Sequence, residues 1–235
     1  MTVQTIGRYD IMYAIGAGSH GTVMCAYDTQ LQRKVALKTL KASSSGALKT
    51  QEAWQEAQAL ARLNHPNIVS IYEVFENQNT IYLVTEFVAG ETLSTLLSQG
   101  ALEFADVISL SMKLVSGLAS VHSKGLVHAD IKPDNVMIRE DGEPVVVDFG
   151  IARSTVADDG TMTLDDNSTQ AISKIEGTLA YMAPEVIRGE TPTAQSDIFS
   201  LGTMIYEMLS GHHVFQQKTQ AATVHLQFDQ PHDGT

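Results

Sequence analysis

Residues 127–138 read Val-His-Ala-Asp-Ile-Lys-Pro-Asp-Asn-Val-Met-Ile, and this stretch places three polar groups close together in the chain. The acid Asp130 lies two residues before the cation Lys132 and five residues before the amide Asn135. An acid that orients a hydroxyl, a cation that offsets phosphate charge and an amide oxygen that binds a metal are groups that phosphoryl transfer requires. The alternative is an ordinary turn, because Asp, Asn and Pro are common turn residues. Apolar pairs at residues 126–127 and 136–137 predict short buried strands on both sides of the loop.

The composition is typical of a globular protein rather than a disordered chain. The 235 residues are 43% hydrophobic and 18% charged, which suits one large domain or two small lobes. The formal net charge of −12 argues against non-specific nucleic-acid binding, which depends on positive charge. This charge mildly favours basic partners, although ordinary solubility explains it equally well.

The sequence carries a single cysteine and no recognisable targeting segment. Because Cys25 has no second cysteine to pair with, an intramolecular disulfide is excluded, and its apolar neighbours predict a buried thiol. We find no run of about 18 apolar residues and no signal-peptide pattern, so we expect no membrane segment in this chain. These features predict a soluble, cytoplasmic protein.

Three glycines lie between two short apolar segments near the N-terminus. Gly16, Gly18 and Gly21 connect predicted strands at residues 9–15 and 23–27. Glycines allow the backbone to approach a phosphate closely, and their N–H groups can bind it. The dinucleotide-binding glycine motif is disfavoured because it opens a helix, whereas a flexible hairpin turn remains the structural alternative.

A third predicted strand follows at residues 34–40. Its alternation places Ala36 and Lys38 on one face, which suits a nucleotide with its phosphates beneath the glycine turn. A helical pattern then covers residues 50–63 and carries Glu52 and Glu56 one turn apart. An exposed strand lysine and a solvated helix face are the structural alternatives for these charged residues.

The rest of the chain alternates strands, helices and one long polar segment. Strands are predicted at residues 68–76 and 80–87, and helices at 92–99, 103–123 and 196–209. The apolar strand that begins at Val145 ends in Asp148-Phe149-Gly150. Residues 152–176 are polar and non-periodic, and so long a loop inside a compact domain is usually functional or disordered.

The order of these motifs resembles the protein kinase superfamily over about residues 8–215. The loop with Asp130 and Asn135 resembles the kinase catalytic loop, Asp148-Phe149-Gly150 resembles the Asp-Phe-Gly motif, and residues 177–185 resemble Gly-Thr-x-x-Tyr-x-Ala-Pro-Glu. Lys132 and the Gly177-Thr178 pair resemble the corresponding residues of the serine/threonine branch of the superfamily. The sequence as a whole is similar to bacterial kinases of eukaryotic type. Small-molecule kinases are disfavoured because they lack the Ala-Pro-Glu segment.

This resemblance implies an α+β fold with two lobes. Residues 1–87 would form an N-lobe with a five-stranded antiparallel sheet and one regulatory helix. Residues 88–235 would form a mainly helical C-lobe, which is incomplete because the family has further helices after about Phe215. We therefore expect a fragment of a longer chain, a homodimer or another partner that covers the missing surface, or a damaged inactive relative. Membrane anchoring by a missing C-terminal region would also be compatible with such a fragment.

The resemblance also implies a site for ATP and Mg²⁺. Asp130 would orient the acceptor hydroxyl, Lys132 would offset charge on the γ-phosphate, and Glu56, with Glu52 as the fallback, would pair with Lys38. Asn135 and Asp148 would bind Mg²⁺, and Asp197 would bond the catalytic-loop backbone. The residues implied in ATP binding are Ile15, Gly16, Gly18, Gly21, Val23, Ala36, Lys38, Thr85, Glu86, Val88 and Met137. The activation segment would include Phe149, Gly150, Thr161, Thr163, Thr169, Thr178 and Glu185.

The implied activity is transfer of the ATP γ-phosphoryl group to Ser or Thr hydroxyls of proteins, including this protein itself. The competing hypothesis is a catalytically inactive pseudokinase, or a truncated nucleotide-binding module, that acts through protein–protein interaction. Loss of Lys38, Asp130 or Asp148 usually marks such proteins, and all three residues are present here. Two departures from the family pattern stand out: Ala129 replaces the usual Arg, and a buried Glu185 would lack the Arg that pairs with it in the family.

Overall fold

The computed structural model of the protein describes residues 4–18, 21–40, 54, 57–78, 80–149 and 179–215. The strands in chain order are β1 (Thr5–Ile6), β2 (Tyr9–Gly18), β3 (Gly21–Asp28), β4 (Arg33–Leu40), β5 (Ile71–Asn77), β6 (Thr80–Glu86), β7 (Gly90–Thr92), β8 (Val136–Arg139) and β9 (Pro144–Val146). The helices are α1 (Leu93–Leu97), α2 (Phe104–His122), α3 (Pro184–Ile187) and α4 (Ala194–Ser210), with a 3₁₀ turn at Pro133–Asn135. Residues 57–60 are also helical.

An antiparallel sheet makes up the N-terminal half of the fold. Its six strands lie in the order β1-β2-β3-β4-β6-β5. The five-strand prediction is wrong by one, because Thr5–Ile6 pairs with the start of β2 and two residues are too few to show a sequence pattern. The sheet curls: Tyr9 near one edge stacks on Phe75 of the other edge strand at 5.5 Å, and Phe75 stacks on Tyr82.

A small apolar cluster lies on one face of this sheet and the main core lies on the other side. Val35 and Leu37 of β4 and Val84 of β6 are fully buried in the small cluster. Cys25 is also fully buried, which confirms the predicted buried thiol. Alternation along β4 therefore leaves Ala36 and Lys38 for the face that is available to a ligand.

The second half of the fold is helical, with a three-stranded sheet in the order β7-β8-β9. Helix α2 buries one stripe at the core: Val107, Leu110, Leu114, Gly117, Leu118 and Val121. Helix α4 begins with a capping box at Thr193 and ends at Gly211, whose φ of 69° is the left-handed conformation that glycine favours. The predicted class, an antiparallel sheet followed by a helical part, is confirmed.

Helix α2 is also long and apolar enough to cross a membrane by the criteria of length and composition. Its 19 residues have a hydropathy of 1.4, because its outer face adds exposed Phe104 and Met112 to the buried stripe. Core helices of soluble proteins satisfy the same criteria, so one such helix is weak evidence for a membrane span. Asp106 and Lys113 interrupt the apolar residues of this helix, so it contains no uninterrupted apolar run that would mark it in the sequence.

Residues 67–69, which lie just before β5, are bound to β9. The Val69 N–H donates to the Val146 carbonyl at 3.0 Å, and the Val146 N–H donates to the Asn67 carbonyl at 2.9 Å. The Asn67 side chain donates to the Pro144 carbonyl at 2.8 Å. These bonds attach the segment that leads into β5 of the N-terminal sheet to β9, the strand that precedes Asp148.

Candidate active site

The polar groups of residues 130–135 lie within hydrogen-bond distance of one another. Lys132 Nζ is 2.8 Å from Asp130 Oδ2, and Asn135 Nδ2 is 2.9 Å from the same oxygen. Asn135 Nδ2 also donates to the Asp130 carbonyl at 2.7 Å, while Pro133–Asn135 forms the 3₁₀ turn that makes this return possible. Asp130 and Asn135 are only 8% and 6% exposed. The stretch is therefore a built cluster rather than a solvated turn.

The carboxylate of Asp197, in the first turn of α4, binds the backbone just before Asp130. Its two oxygens accept the backbone N–H groups of His128 at 2.8 Å and Ala129 at 2.9 Å, which confirms the predicted contact. His122 Nε2 lies 2.8 Å from Asp197 Oδ2. Ala129 has a φ of 65°, an uncommon conformation for a residue with a Cβ atom. The strand predicted after the loop is present, because residues 136–137 begin β8, but the strand predicted at residues 126–127 is not formed. On that side of the loop, the hydrogen bonds to Asp197 hold the backbone instead.

His128 connects the loop to the segment that carries Asp148. Its side chain is fully buried, and burial lowers its pKa, so the ring is neutral. Nδ1 accepts the Asp130 N–H at 3.2 Å, which leaves Nε2 to donate to the Val147 carbonyl at 3.0 Å. The ring also packs against buried Phe149, with centroids 4.6 Å apart.

Lys38 and Asp148, which are 110 residues apart in the chain, form an ion pair. The Lys38 side chain is 8% exposed and the Asp148 side chain 34% exposed, so the pair lies at the edge of the interior. Asp148 has a φ of 62°. The Val147 N–H just before it donates to the Asn135 carbonyl at 2.8 Å. Lys38, Asp148 and the catalytic loop thus belong to one connected site.

Strand register brings several of the predicted ATP-binding residues onto one face of the sheet. Val23 lies opposite Lys38 between β3 and β4, and Ala36 lies opposite Thr85 between β4 and β6. Directly opposed residues on antiparallel strands point to the same face. Val23, Ala36, Lys38 and Thr85 therefore share the face that also presents Lys38 to Asp148.

The glycines at positions 16, 18 and 21 have different surroundings. A Cβ atom at Gly21, whose φ is 125°, would lie 2.0 Å from the Thr39 carbonyl oxygen, whereas a Cβ atom at Gly16 would meet nothing within 4 Å. Gly21 is thus required by the close approach of β4, while Gly16 leaves open space. Gly18 ends β2, and Ile15 on the same strand is 50% exposed.

The predicted adenine-binding segment follows β6 directly. The Glu86 N–H donates to the Ser70 carbonyl at 2.9 Å, and the Glu86 carbonyl accepts the Thr85 hydroxyl at 3.2 Å. A carbonyl oxygen has two lone pairs, so this one keeps a second acceptor position for a base. Val88, two residues on, is 8% exposed. Met137 lies on β8, half-buried, and pairs with Thr92 of β7. The first strand of the helical half therefore lies next to the residues that follow Glu86.

The donors present fit Mg²⁺. Magnesium prefers oxygen ligands and commonly binds one or two carboxylates together with substrate phosphates. Asp148 supplies a carboxylate, and since Asn135 commits Nδ2 to Asp130, its Oδ1 is the oxygen that remains for a metal. Within the described ranges no group of three or more His, Cys, Asp or Glu residues forms a self-sufficient metal site. Such a site is not needed where phosphate oxygens complete the coordination.

Several predicted residues lie outside the described part of the chain: Glu52, Glu56, Gly150, Thr161, Thr163, Thr169 and Thr178. Among the activation-segment residues that are described, Phe149 is buried at 4% exposure. Glu185 lies in α3 and is half-buried rather than buried. A half-buried carboxylate keeps contact with water, so the lack of an Arg partner destabilises the fold less here than it would at a fully buried position.

Sequence reasoning missed a polar pair next to the catalytic loop. Tyr181, buried beside Asp130 and Ser200 around a small cleft, donates its hydroxyl to Glu207 of α4. Burial and this hydrogen bond raise the pKa of Tyr181 well above its usual range, and burial also raises the pKa of Glu207. Tyr181 stands in the quoted motif, but nothing in the sequence connects it to Glu207, 26 residues later.

Comparison with known proteins agrees with this geometry. The protein kinase domain family matches residues 9–233 of the chain. The chain belongs to the protein kinase family. The predicted resemblance to bacterial kinases of eukaryotic type is thereby confirmed, since the similar curated proteins are bacterial serine/threonine kinases.

Three relatives illustrate the similarity of this kinase domain. A probable serine/threonine-protein kinase of Streptomyces coelicolor is 40% identical over 210 residues, 87% of this chain and 30% of that protein. The serine/threonine-protein kinase PrkC of Bacillus subtilis is 35% identical over 229 residues, 96% of this chain and 34% of that protein. The serine/threonine-protein kinase PknL of Mycobacterium bovis is 34% identical over 224 residues, 94% of this chain and 54% of that protein. The chain thus spans between about a third and a half of the length of these relatives.

Proposed function

We propose that this kinase domain transfers the ATP γ-phosphoryl group to Ser and Thr hydroxyls of proteins, including its own. The observation that carries the proposal is the connected cluster in which Lys38 pairs with Asp148 beside Asp130, Lys132 and Asn135. Positioning and electrostatics dominate phosphoryl transfer, so a rigid set of these groups accounts for most of the catalysis. The bacterial serine/threonine kinases that this chain resembles support the same choice of acceptor.

Each residue has a separate task in this proposal. ATP with Mg²⁺ supplies the phosphoryl group and the cation that offsets its charge, and Asn135 and Asp148 would hold the metal. Lys38 would bind the α- and β-phosphates, and the backbone of Glu86 and Val88 would bind the adenine edge. Thr85 would lie at the back of the adenine pocket, and Ile15, Val23, Ala36 and Met137 would line it.

The chemical step falls to the catalytic loop. Asp130 would orient the acceptor hydroxyl and accept its proton, and Lys132, 2.8 Å from Asp130, would offset negative charge on the γ-phosphate. Asn135 holds the same Asp130 oxygen from another side, which limits the rotation of this carboxylate. Such preorganisation contributes because no group has to be rearranged at the moment of transfer.

Intact-mass measurement separates this activity from the pseudokinase alternative. After incubation with ATP and Mg²⁺, autophosphorylation adds whole phosphate masses to the purified protein. Thermal stabilisation by ATP with no gain in mass would support the binding module instead. An Asp130→Asn variant serves as the control, because it should keep nucleotide binding and lose the mass gain.

The alanine at position 129 leads to a prediction about whether activity depends on phosphorylation of the activation segment. A phosphate adds about −1.5 to −2 charge and needs a cationic partner to order a loop, and Ala129 removes the Arg that is usual at this position. We therefore expect that replacing Thr161, Thr163 and Thr169 together by Ala leaves basal activity within about twofold of wild type. Initial rates on a protein substrate measure the effect. A tenfold or larger loss of rate would show that a phosphorylated loop finds another cation.

A further inference from the structure

We infer that Arg139 is a positioning residue that fixes the adenine-binding backbone after β6 through the Glu86 side chain. This inference rests on the proposed function, since it concerns how the nucleotide is held. The guanidinium of Arg139 lies 2.5 Å from Glu86 Oε1, and the two residues are 53 positions apart in the chain. Their side chains are 30% and 21% exposed, so the pair is partly shielded from water.

The orientation of Glu86 is what allows such a role. Thr85 lies opposite Ala36 and shares the nucleotide face, so the next side chain, Glu86, projects to the opposite face of the strand. The Glu86 N–H donates to the Ser70 carbonyl, and the Glu86 carbonyl, which accepts the Thr85 hydroxyl, keeps a second lone pair that can bind the base. The ion pair with Arg139 therefore holds the Glu86 side chain on the face opposite to the one where a nucleotide would lie.

Arg139 itself is held firmly enough to act as an anchor. Its N–H donates to the Glu143 carbonyl at 3.0 Å, and its carbonyl accepts the Gly142 N–H at 2.9 Å, so the β8–β9 hairpin fixes its backbone. Arg139 also pairs directly with Gly90 of β7. A Cβ atom at Gly90 would lie 2.0 Å from the Ile138 carbonyl oxygen, which shows how closely these strands approach.

Residues 86–90 are consequently attached at both ends. At one end, the Glu86 side chain binds Arg139, and at the other, Gly90 pairs with the same residue. A charged hydrogen bond between a guanidinium and a carboxylate is directional, so it restrains rotation of the Glu86 peptide unit more than apolar packing would. Loss of the pair should then loosen the adenine-binding segment without touching the groups that transfer the phosphoryl group.

The test compares steady-state kinetics of Arg139→Gln with those of wild type. We expect the ATP KM to rise about fivefold and kcat to change less than about twofold, because ground-state and transition-state binding of adenine weaken alike. Arg139→Lys should recover part of the loss. Glu86→Gln should produce the same KM, and the double variant should be no worse than either single variant. Lys113→Gln, which breaks the partly buried Lys113–Glu143 pair on the same half, is the control and should change neither constant.

The outcomes separate this inference from the proposed function. Wild-type kinetics with an unchanged ATP KM in Arg139→Gln would overturn the positioning role and leave the kinase activity intact. Equal losses of kcat and of thermal stability in all variants would also overturn it, because they indicate a purely structural pair. If Arg139→Gln fails to fold, the isosteric Glu86→Gln provides the same comparison. A wild-type protein that binds no ATP would overturn the proposed function itself, and this inference with it.

Discussion

Replacing Asp148 by Asn is expected to abolish detectable phosphoryl transfer, a loss of about 1,000-fold or more. The substitution keeps the shape of the side chain but removes the charge that faces Lys38 and that would bind the metal. ATP affinity should fall much less, because adenine binding and the glycine turn are unaffected. Transfer of labelled phosphate from ATP to a protein substrate measures the first effect, and a nucleotide titration measures the second.

Asp141→Asn is the matched control for this prediction. Asp141 is exposed in the turn between β8 and β9, where Asn before Gly142 supports the turn equally well. The control should transfer phosphate at the wild-type rate. Normal turnover by the Asp148→Asn variant would overturn the assignment of the metal-binding carboxylate.

The largest expected effect on stability belongs to Asp197→Ala. The Asp197 side chain is 1% exposed, and its removal leaves the buried N–H of His128 and the N–H of Ala129 without their acceptor. Unsatisfied buried donors cost about 1–3 kcal/mol each, so we expect a loss of about 3 kcal/mol. This is a large fraction of a domain's typical stability, roughly 5–15 kcal/mol. Urea denaturation of the purified protein measures the change.

The matched control is Asp106→Ala, which removes an exposed carboxylate from the first turn of α2. Exposed substitutions usually change stability by less than about 0.5 kcal/mol. An Asp197→Ala variant as stable as this control would show that the loop backbone finds other acceptors. In that case the geometry of residues 128–130 would have to be explained by packing alone.

The sequence predicted the elements whose patterns are periodic. The apolar stripe of α2 and the alternation of β4 are encoded within a few turns or residues, so their buried faces follow from local order. The contact of Asp197 with the catalytic loop could be expected only from the family resemblance. The reason is that this contact joins His128 and Asp197, which are 69 positions apart, and no local pattern records so distant a pairing.

Other features depend on tertiary geometry that no local pattern records. The two-residue strand β1 exists only because β2 offers an edge. The need for glycine at position 21 comes from the close approach of Thr39, and the pair of Tyr181 with Glu207 comes from the packing of α4. Arg139 follows an apolar run in the sequence and gives no sign of its partner in β6. Polar contacts across the fold are therefore the part that sequence reasoning missed.

The central claim is that groups from both halves of the fold converge on the phosphates of one nucleotide. The most direct measurement is a crystal structure of the protein with Mg²⁺ and a non-hydrolysable ATP analogue. We predict a metal about 2.1 Å from oxygens of both Asp148 and Asn135, with Lys38 Nζ bound to a phosphate and the adenine at the Glu86 carbonyl. A nucleotide bound elsewhere, or a metal that contacts neither Asp148 nor Asn135, would contradict the claim.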